Sequence, residues 1–228
     1  MERRTLLVRI IEVSDAESVD NIIKATNSQT SLGKASLHAT EQIHRRIEIL
    51  LKDGAVGLYY DRRKNYYKNR GKAARDIISM PRLAQALASL VLQEPNEARG
   101  RPTTVSEKHY SRLFDPKAPP GLYGACALAL RRVSEYLEDS NFDRTLRLNL
   151  VFHLLMYSAC VALGSAKPQR RTIAELRPED LTDALLDDCL KQVQHAYDEA
   201  GGDDKASKGT DFVGALIADL NSRLAALK

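Results

Sequence analysis

The sequence predicts an α+β fold that is predominantly α-helical, with a small N-terminal sheet and its packed helices followed by a helical bundle. Three observations lead there. Every strand-like run lies before residue 80, the residues after 121 carry apolar positions at helical spacing, and a proline-rich stretch separates the two. At 228 residues, 43% hydrophobic and 28% charged, the chain can bury one sizeable core or two small ones.

Residues 5–13 mix apolar and β-branched side chains with Arg9 and Glu12 between them, which suits a largely buried strand. Ser14 offers an N-cap with Glu17 three residues on, so a helix is expected from about 15 to 26. A polar loop over 27–34 ends it. A second helix, over about 36–52, directs Leu37, Ile43, Ile47, Leu50 and Leu51 inward, and Asp53-Gly54 stops it. The tyrosine-rich run 58–68 reads as a strand or hairpin and Ile77-Ile78-Ser79 as a short strand; Pro81 then opens a helix through Leu92. Pro95, Pro102, Pro116, Pro119 and Pro120 make 95–120 a loop-rich connector. Helices follow at about 121–139, 143–163, 178–200 and 210–227, with the apolar stretch 146–163, including Leu148, as the central buried one. The division this implies is an α+β region over 1–94, the connector over 95–120 and a helical region over 121–228.

Cys126, Cys160 and Cys189 are odd in number, far apart and set in apolar helical runs, the pattern of buried thiols in a reducing compartment. No basic-then-apolar leader is visible and no apolar run approaches the ~18 residues of a membrane span. A cytoplasmic protein with no membrane partner is therefore expected.

Charge is distributed unevenly. Between Asp61 and Arg75, the cations Arg62, Arg63, Lys64, Lys68, Arg70, Lys72 and Arg75 face Asp61 alone, a local charge of +6 in a chain of net +4, so everything else sums to −2. Tyr59, Tyr60, Tyr66 and Tyr67 are interleaved with these cations. Cations release counterions from phosphates and planar rings stack on exposed bases, so Tyr60, Arg62, Arg63, Lys64, Asn65, Tyr66, Tyr67, Lys68 and Arg70 are candidate nucleic-acid contacts. A structural reading competes, in which the tyrosines are buried by a strand and the cations solvate its edge.

Catalytic and metal chemistry find little support. His38 and His44 are six apart, a spacing that places them on different helix faces, while His109, His153 and His195 are isolated, so no metal or cofactor is expected. His153 reads as a satisfied core histidine. Asp187-Asp188 diverge on a helix, and Asp203-Asp204 read as a solvated loop. Arg131-Arg132 and 167–171 are smaller basic clusters offset by nearby acids, as at solvated helix ends. No nucleophile set or phosphate loop stands out, so whether the chain is an enzyme stays open.

Four collinear blocks carry a resemblance: Val8 to Val13 with Asp15; Ile22 to Thr30; Leu58 to Lys68; and Pro81, Leu83 to Gln85, Leu92 to Pro95, Ala98-Arg99 and Arg101-Pro102. In order and content they closely resemble the AIPR family, the abortive-infection phage-resistance proteins of bacteria, over roughly residues 6–114. Members of that family are similar over a longer chain with a region upstream of the opening strand. The resemblance thus implies the C-terminal portion of such a protein, with any nuclease or nucleotide step upstream. The order strand, helix, Asn-x-Gln loop and helix over 5–40 also resembles ParB-like domains, where the loop lies near a nucleotide or DNA site. That likeness implies a ligand role for Asn27, Ser28, Gln29 and Thr30. The expected function is phage defence with nucleic acid, DNA or RNA, held through the basic tyrosine segment. The alternative is a helical protein–protein interaction module that docks on the upstream AIPR region or self-associates through the N-terminal strand.

Overall fold

The computed structural model describes residues 38–53, 56–140 and 142–226, together with scattered positions between 10 and 22. Of the expected buried strand at 5–13 only Ile10 and Glu12 are described, neither as strand, and Ile10 is 89% exposed, contrary to expectation; the loop with Asn27, Ser28, Gln29 and Thr30 lies outside the described residues, and with it nearly all of the ParB-like stretch. Of the helix at 15–26, Ser18, Val19, Asn21 and Ile22 are described as helical, and the Asp15 carboxylate accepts from the Ser18 amide at 2.7 Å. The capping oxygen is thus one residue after the expected Ser14.

Helix α1 (Gln42–Asp53) turns Ile43, Ile47 and Leu51 into the core, one above another at intervals of four. Leu50, one step round the helix from that row, is 41% exposed, contrary to expectation. Strands β1 (Tyr59–Asp61) and β2 (Ile77–Ser79) pair in parallel, Tyr59 with Ile77, Tyr60 with Ile78 and Asp61 with Ser79. The tyrosine run is therefore not a hairpin. Its parallel register sets the buried Tyr60 beside the buried Ile78, and the crossover between the strands is made of turns and two 3-10 turns, Lys68–Arg70 and Ala74–Asp76.

Ser79 then caps α2 (Met80–Leu87), its hydroxyl accepting from the Arg82 amide at 3.3 Å with Pro81 in the first turn. The helix widens into a π turn over Ala88–Leu92 and stops at Gln93, whose φ of 57° no helix continues through. The proline-rich stretch that follows carries three short helices, α3 (Pro95–Gly100), α4 (Pro102–Lys108) and α5 (Tyr110–Leu113). Pro95 and Pro102 occupy first turns, where the missing amide proton costs no hydrogen bond, so they start helices rather than break them.

Among the remaining helices, α6 (Gly121–Asp139), α7 (Arg144–Ala162) and α10 (Thr210–Ala225) follow the predicted spacing, the short α8 (Arg170–Ile173) is an addition to it, and α9 (Asp183–Glu199) starts later than the expected 178, behind a 3-10 turn at Pro178–Asp180. Asp143 caps α7 by accepting from the Leu146 amide at 2.9 Å, and Thr182 caps α9 by accepting from the Leu185 amide at 3.2 Å. Helix α7 is the axis of the molecule, packed by α3, α6, α9, α10 and the π turn. By length and composition it is apolar enough to cross a membrane, contrary to the reading that no run approaches that length, yet 67% of its apolar window is buried inside the molecule. Leu148, expected among its buried positions, is 44% exposed.

Three polar groups ride inside this apolar helix, and each is placed. The Asn149 side-chain oxygen accepts from Arg99 Nε at 3.0 Å and Nη2 at 2.8 Å, and from Ser207 Oγ at 3.3 Å, while its amide donates to Tyr197 Oη at 2.9 Å. Ser158 donates to the Leu154 carbonyl at 2.7 Å. His153 donates from Nδ1 to the Asn149 carbonyl at 3.1 Å and stacks on Phe212 at 4.2 Å, but its buried Nε2 has no partner among the described residues, so it is satisfied at one nitrogen only. Asn149 thus joins α3, α7, α9 and the 3-10 turn Ala206–Lys208. Asn149→Leu should lower the urea-unfolding free energy by about 2–3 kcal/mol, because Arg99 and Tyr197 lose their buried partner; a loss under ~0.5 kcal/mol would show the network to be dispensable.

Candidate nucleic-acid interface

The basic tyrosine segment is split by the fold into an inner and an outer set. Tyr60 is wholly buried on β1. Arg62 donates from Nε to Glu48 Oε2 and from Nη1 to the Ala39 carbonyl, both at 2.7 Å, and Tyr67 donates its hydroxyl to Glu48 Oε1 at 2.6 Å. Both oxygens of one carboxylate on α1 are taken by residues of the turn. The lone acid of the segment, Asp61, is buried as well and accepts from the Tyr67 amide at 3.2 Å, closing the turn from within. Asn65 sits at its tip with φ 65°, a left-handed conformation that asparagine tolerates.

The outer set faces solvent. Arg63, Lys64, Asn65, Lys68, Arg70 and Lys72 are exposed and Tyr66 is half-buried. The Arg70 guanidinium lies 4.1 Å from the centre of the Tyr66 ring, and the Lys72 ammonium 4.6 Å from that of Tyr59. Among the described residues Arg63, Lys64, Lys68, Arg70 and Lys72 have no carboxylate partner, while Arg75 lies at 4.0 Å from Asp76. Of the nine predicted contacts, the turn therefore gathers Arg63, Lys64, Asn65, Tyr66, Lys68 and Arg70 on one exposed loop and withdraws Tyr60, Arg62 and Tyr67 into its support.

Beneath the turn is a feature the spacing of the histidines hid. His44 is fully buried, with Nδ1 2.8 Å from Tyr60 Oη and Nε2 2.8 Å from Tyr110 Oη. Tyr110 donates its one proton to Glu41 Oε2 at 2.5 Å, so His44 Nε2–H must donate to the Tyr110 oxygen and its bare Nδ1 must accept from Tyr60. Phe114 packs edge-on at 4.6 Å. His38 precedes α1 rather than sharing its helical spacing, so it reaches the same place, stacking on Tyr110 at 3.7 Å with Nδ1 2.7 Å from Glu41 Oε1. The two histidines converge on Tyr110, contrary to the expectation of separate faces. The sequence signal for this lay in Glu41, His44 and Glu48, which recur at helical spacing, but their partner Tyr110 stands 66 residues beyond His44.

Burial governs the chemistry of this cluster. It lowers His44 from 6.5 to about 4, against the opposing pull of Glu41, and it pushes the Tyr60 and Tyr110 hydroxyls up, so the imidazole stays neutral and the phenols stay protonated. Burial likewise raises the Cys126, Cys160 and Cys189 thiols, the last two to about 11 and about 12. Among the described residues no group of three or more His, Cys, Asp or Glu side chains could hold a metal ion. Asp187 accepts from Tyr136 at 2.5 Å and Asp188 pairs with Arg223, so the adjacent carboxylates diverge as expected. In the second pair Asp203 accepts from the Ala206 amide at 2.7 Å and Asp204 pairs with Arg99 at 2.7 Å, so this exposed turn is solvated as expected and braced as well. His109 is not isolated either, since its Nε2 lies 3.2 Å from Glu94.

The depressed His44 sets a pH dependence. The unfolded chain takes up a proton near pH 6.5 and the folded chain only near pH 4, so stability is full above 6.5 and falls as pH drops through that window, by about 3 kcal/mol from His44 alone. His153, lowered to about 3 by burial, adds a loss of the same sign. Urea midpoints measured from pH 7 to pH 4 should fall, and His44→Gln should remove much of the fall; a variant with the wild-type slope would show that the imidazole is not the titrating group.

The AIPR protein family model matches residues 1–160 of this chain, and no curated protein or solved structure matches it. The matched residues take in the His44 cluster, the basic turn and α1 through nearly all of α7, and on that match the chain belongs to the AIPR family, the abortive-infection phage-resistance proteins.

Proposed function

We propose that this AIPR protein serves phage defence by holding nucleic acid on the exposed face of its basic turn. The observation that carries the reading is the outer set: five cations without carboxylate partners among the described residues, Arg63, Lys64, Lys68, Arg70 and Lys72, displayed on one loop around Tyr66. Such a loop attracts a phosphate backbone through counterion release, and a tyrosine edge among cations gives an unpaired base a surface to stack on. The inner set holds the loop in shape. Because Glu48 is neutralised by Arg62 and bonded to Tyr67, and Asp61 is buried, neither carboxylate competes with phosphate for the outer cations.

A second reading, a helical module that binds another protein, draws on a different observation. Ile49 and Leu50 are 59% and 41% exposed on α1, adjacent apolar side chains that face solvent. The upstream AIPR region and a second copy of this chain are the partners that reading would favour.

Fluorescence anisotropy with labelled single- and double-stranded oligonucleotides separates the two. Log affinity should fall steeply with log salt, and the combined Arg63→Ala, Lys64→Ala, Lys68→Ala and Arg70→Ala variant should flatten the slope by about 0.7–0.9 for each phosphate it no longer neutralises. An unchanged slope would reject the turn as the nucleic-acid surface. Arg62→Ala should behave differently, lowering unfolding stability by about 2 kcal/mol because Glu48 and the Ala39 carbonyl lose their donor, with little change in slope.

A further inference from the structure

A cleft of about 1080 Å³ opens between the loop after α5 and the segment that leads into α8. It shares no residue with the basic turn. Five cations line it, Arg112, Lys117, Lys167, Arg170 and Arg171, against the carboxylates of Asp115 and Glu175, a local net charge of +3. The sequence suggested that 167–171 is a solvated helix end offset by its own neighbours, yet the fold sets it opposite Lys117 and Arg112.

The walls are braced against each other and from behind. Arg170 donates to Asp115 Oδ2 at 3.4 Å and to the Arg112 carbonyl, which pins one wall to the other at their base. Tyr123 Oη donates to the Asp115 carbonyl at 3.1 Å, and Gln93 Nε2 donates to the Ala166 carbonyl at 2.5 Å. Asp115 is therefore engaged by Arg170, whereas Lys117, Lys167 and Arg171 have no carboxylate partner among the described residues. The rest of the lining includes apolar side chains, Val91, Leu92, Ala118, Pro119 and Ala174, with the Gln169 amide among them.

We propose that this cleft is a nucleotide-binding site. Cations free of internal partners meet the phosphates, with Arg171 offering the planar fork that matches phosphate oxygens. An apolar lining takes a planar base, and the volume is of the order that small-ligand sites occupy. A free nucleotide and the phosphorylated end of a strand present this same chemistry.

Isothermal titration of the full chain with ATP, with a 5′-phosphorylated dinucleotide and with inorganic phosphate tests it. ATP or the dinucleotide should bind one per chain, the tighter of the two naming the source of the phosphate. The combined Lys117→Ala, Lys167→Ala and Arg171→Ala variant should weaken that binding about tenfold or more. A thermal melt confirms folding, and Arg171→Glu, a single change at an exposed position, gives the same readout if the triple variant does not fold. The proposal is overturned if neither nucleotide binds up to about 1 mM, if the cleft variants bind like the wild type, or if inorganic phosphate binds as tightly as ATP.

Discussion

The burial of α7 is the constraint on which the rest of the structure depends. From Asn149 to Cys160 every residue of this helix is buried, so it has no face to offer water and must be enclosed on all sides. Each large apolar side chain removed from water contributes about 1.5–3 kcal/mol, which makes enclosure of this one helix a dominant favourable term. The enclosing elements come from distant parts of the chain: the π turn and α3 before it, α6 beside it, α9 and α10 after it. The last two begin beyond residue 160, where the family match ends, so here the matched residues rely on unmatched ones to cover their central helix.

A helix so enclosed tolerates polar groups only where partners are supplied, and Asn149 shows the consequence. Its amide gathers Arg99, Tyr197 and Ser207 into one buried network, so hydrogen bonding as well as apolar packing fixes how α3 and α9 sit against α7. The His44 cluster does the same work elsewhere in the molecule. There a neutral imidazole bridges two phenols from β1 and α5, holding the strand pair against helices that follow it by some fifty residues. Both networks use a side chain that can donate at one atom and accept at another, which lets a single buried residue satisfy two partners.

The basic turn owes its form to that second cluster. Tyr60 anchors its start, Glu48 on the same helix as His44 holds Arg62 and Tyr67, and Arg63, Lys64, Lys68, Arg70 and Lys72 are left outside without a carboxylate partner among the described residues. The nucleic-acid and structural readings of the segment are thus divided between two sets of residues. Composition makes no such distinction, because an arginine that braces a fold and one that meets a phosphate are the same letter.

The sequence by itself determined the helical class, the family and the bounds of α6, α7 and α10, because those helices carry long apolar periods, but it missed the short α8 and opened α9 at 178, ahead of the Thr182 cap. It also located the excess of positive charge, a property of composition. Only the tertiary structure decided that β1 and β2 are parallel, that Pro95 and Pro102 open helices, and that Tyr60, Arg62 and Tyr67 face inward. The meeting of His38 and His44 at Tyr110, and of Lys117 with Lys167 and Arg171 across one cleft, were equally illegible. The physical reason is range: helix periodicity and capping are written within a few neighbouring residues, whereas these pairings join positions such as Glu48 and Arg62, 14 residues apart, or His44 and Tyr110, 66 apart, whose partners no local pattern names.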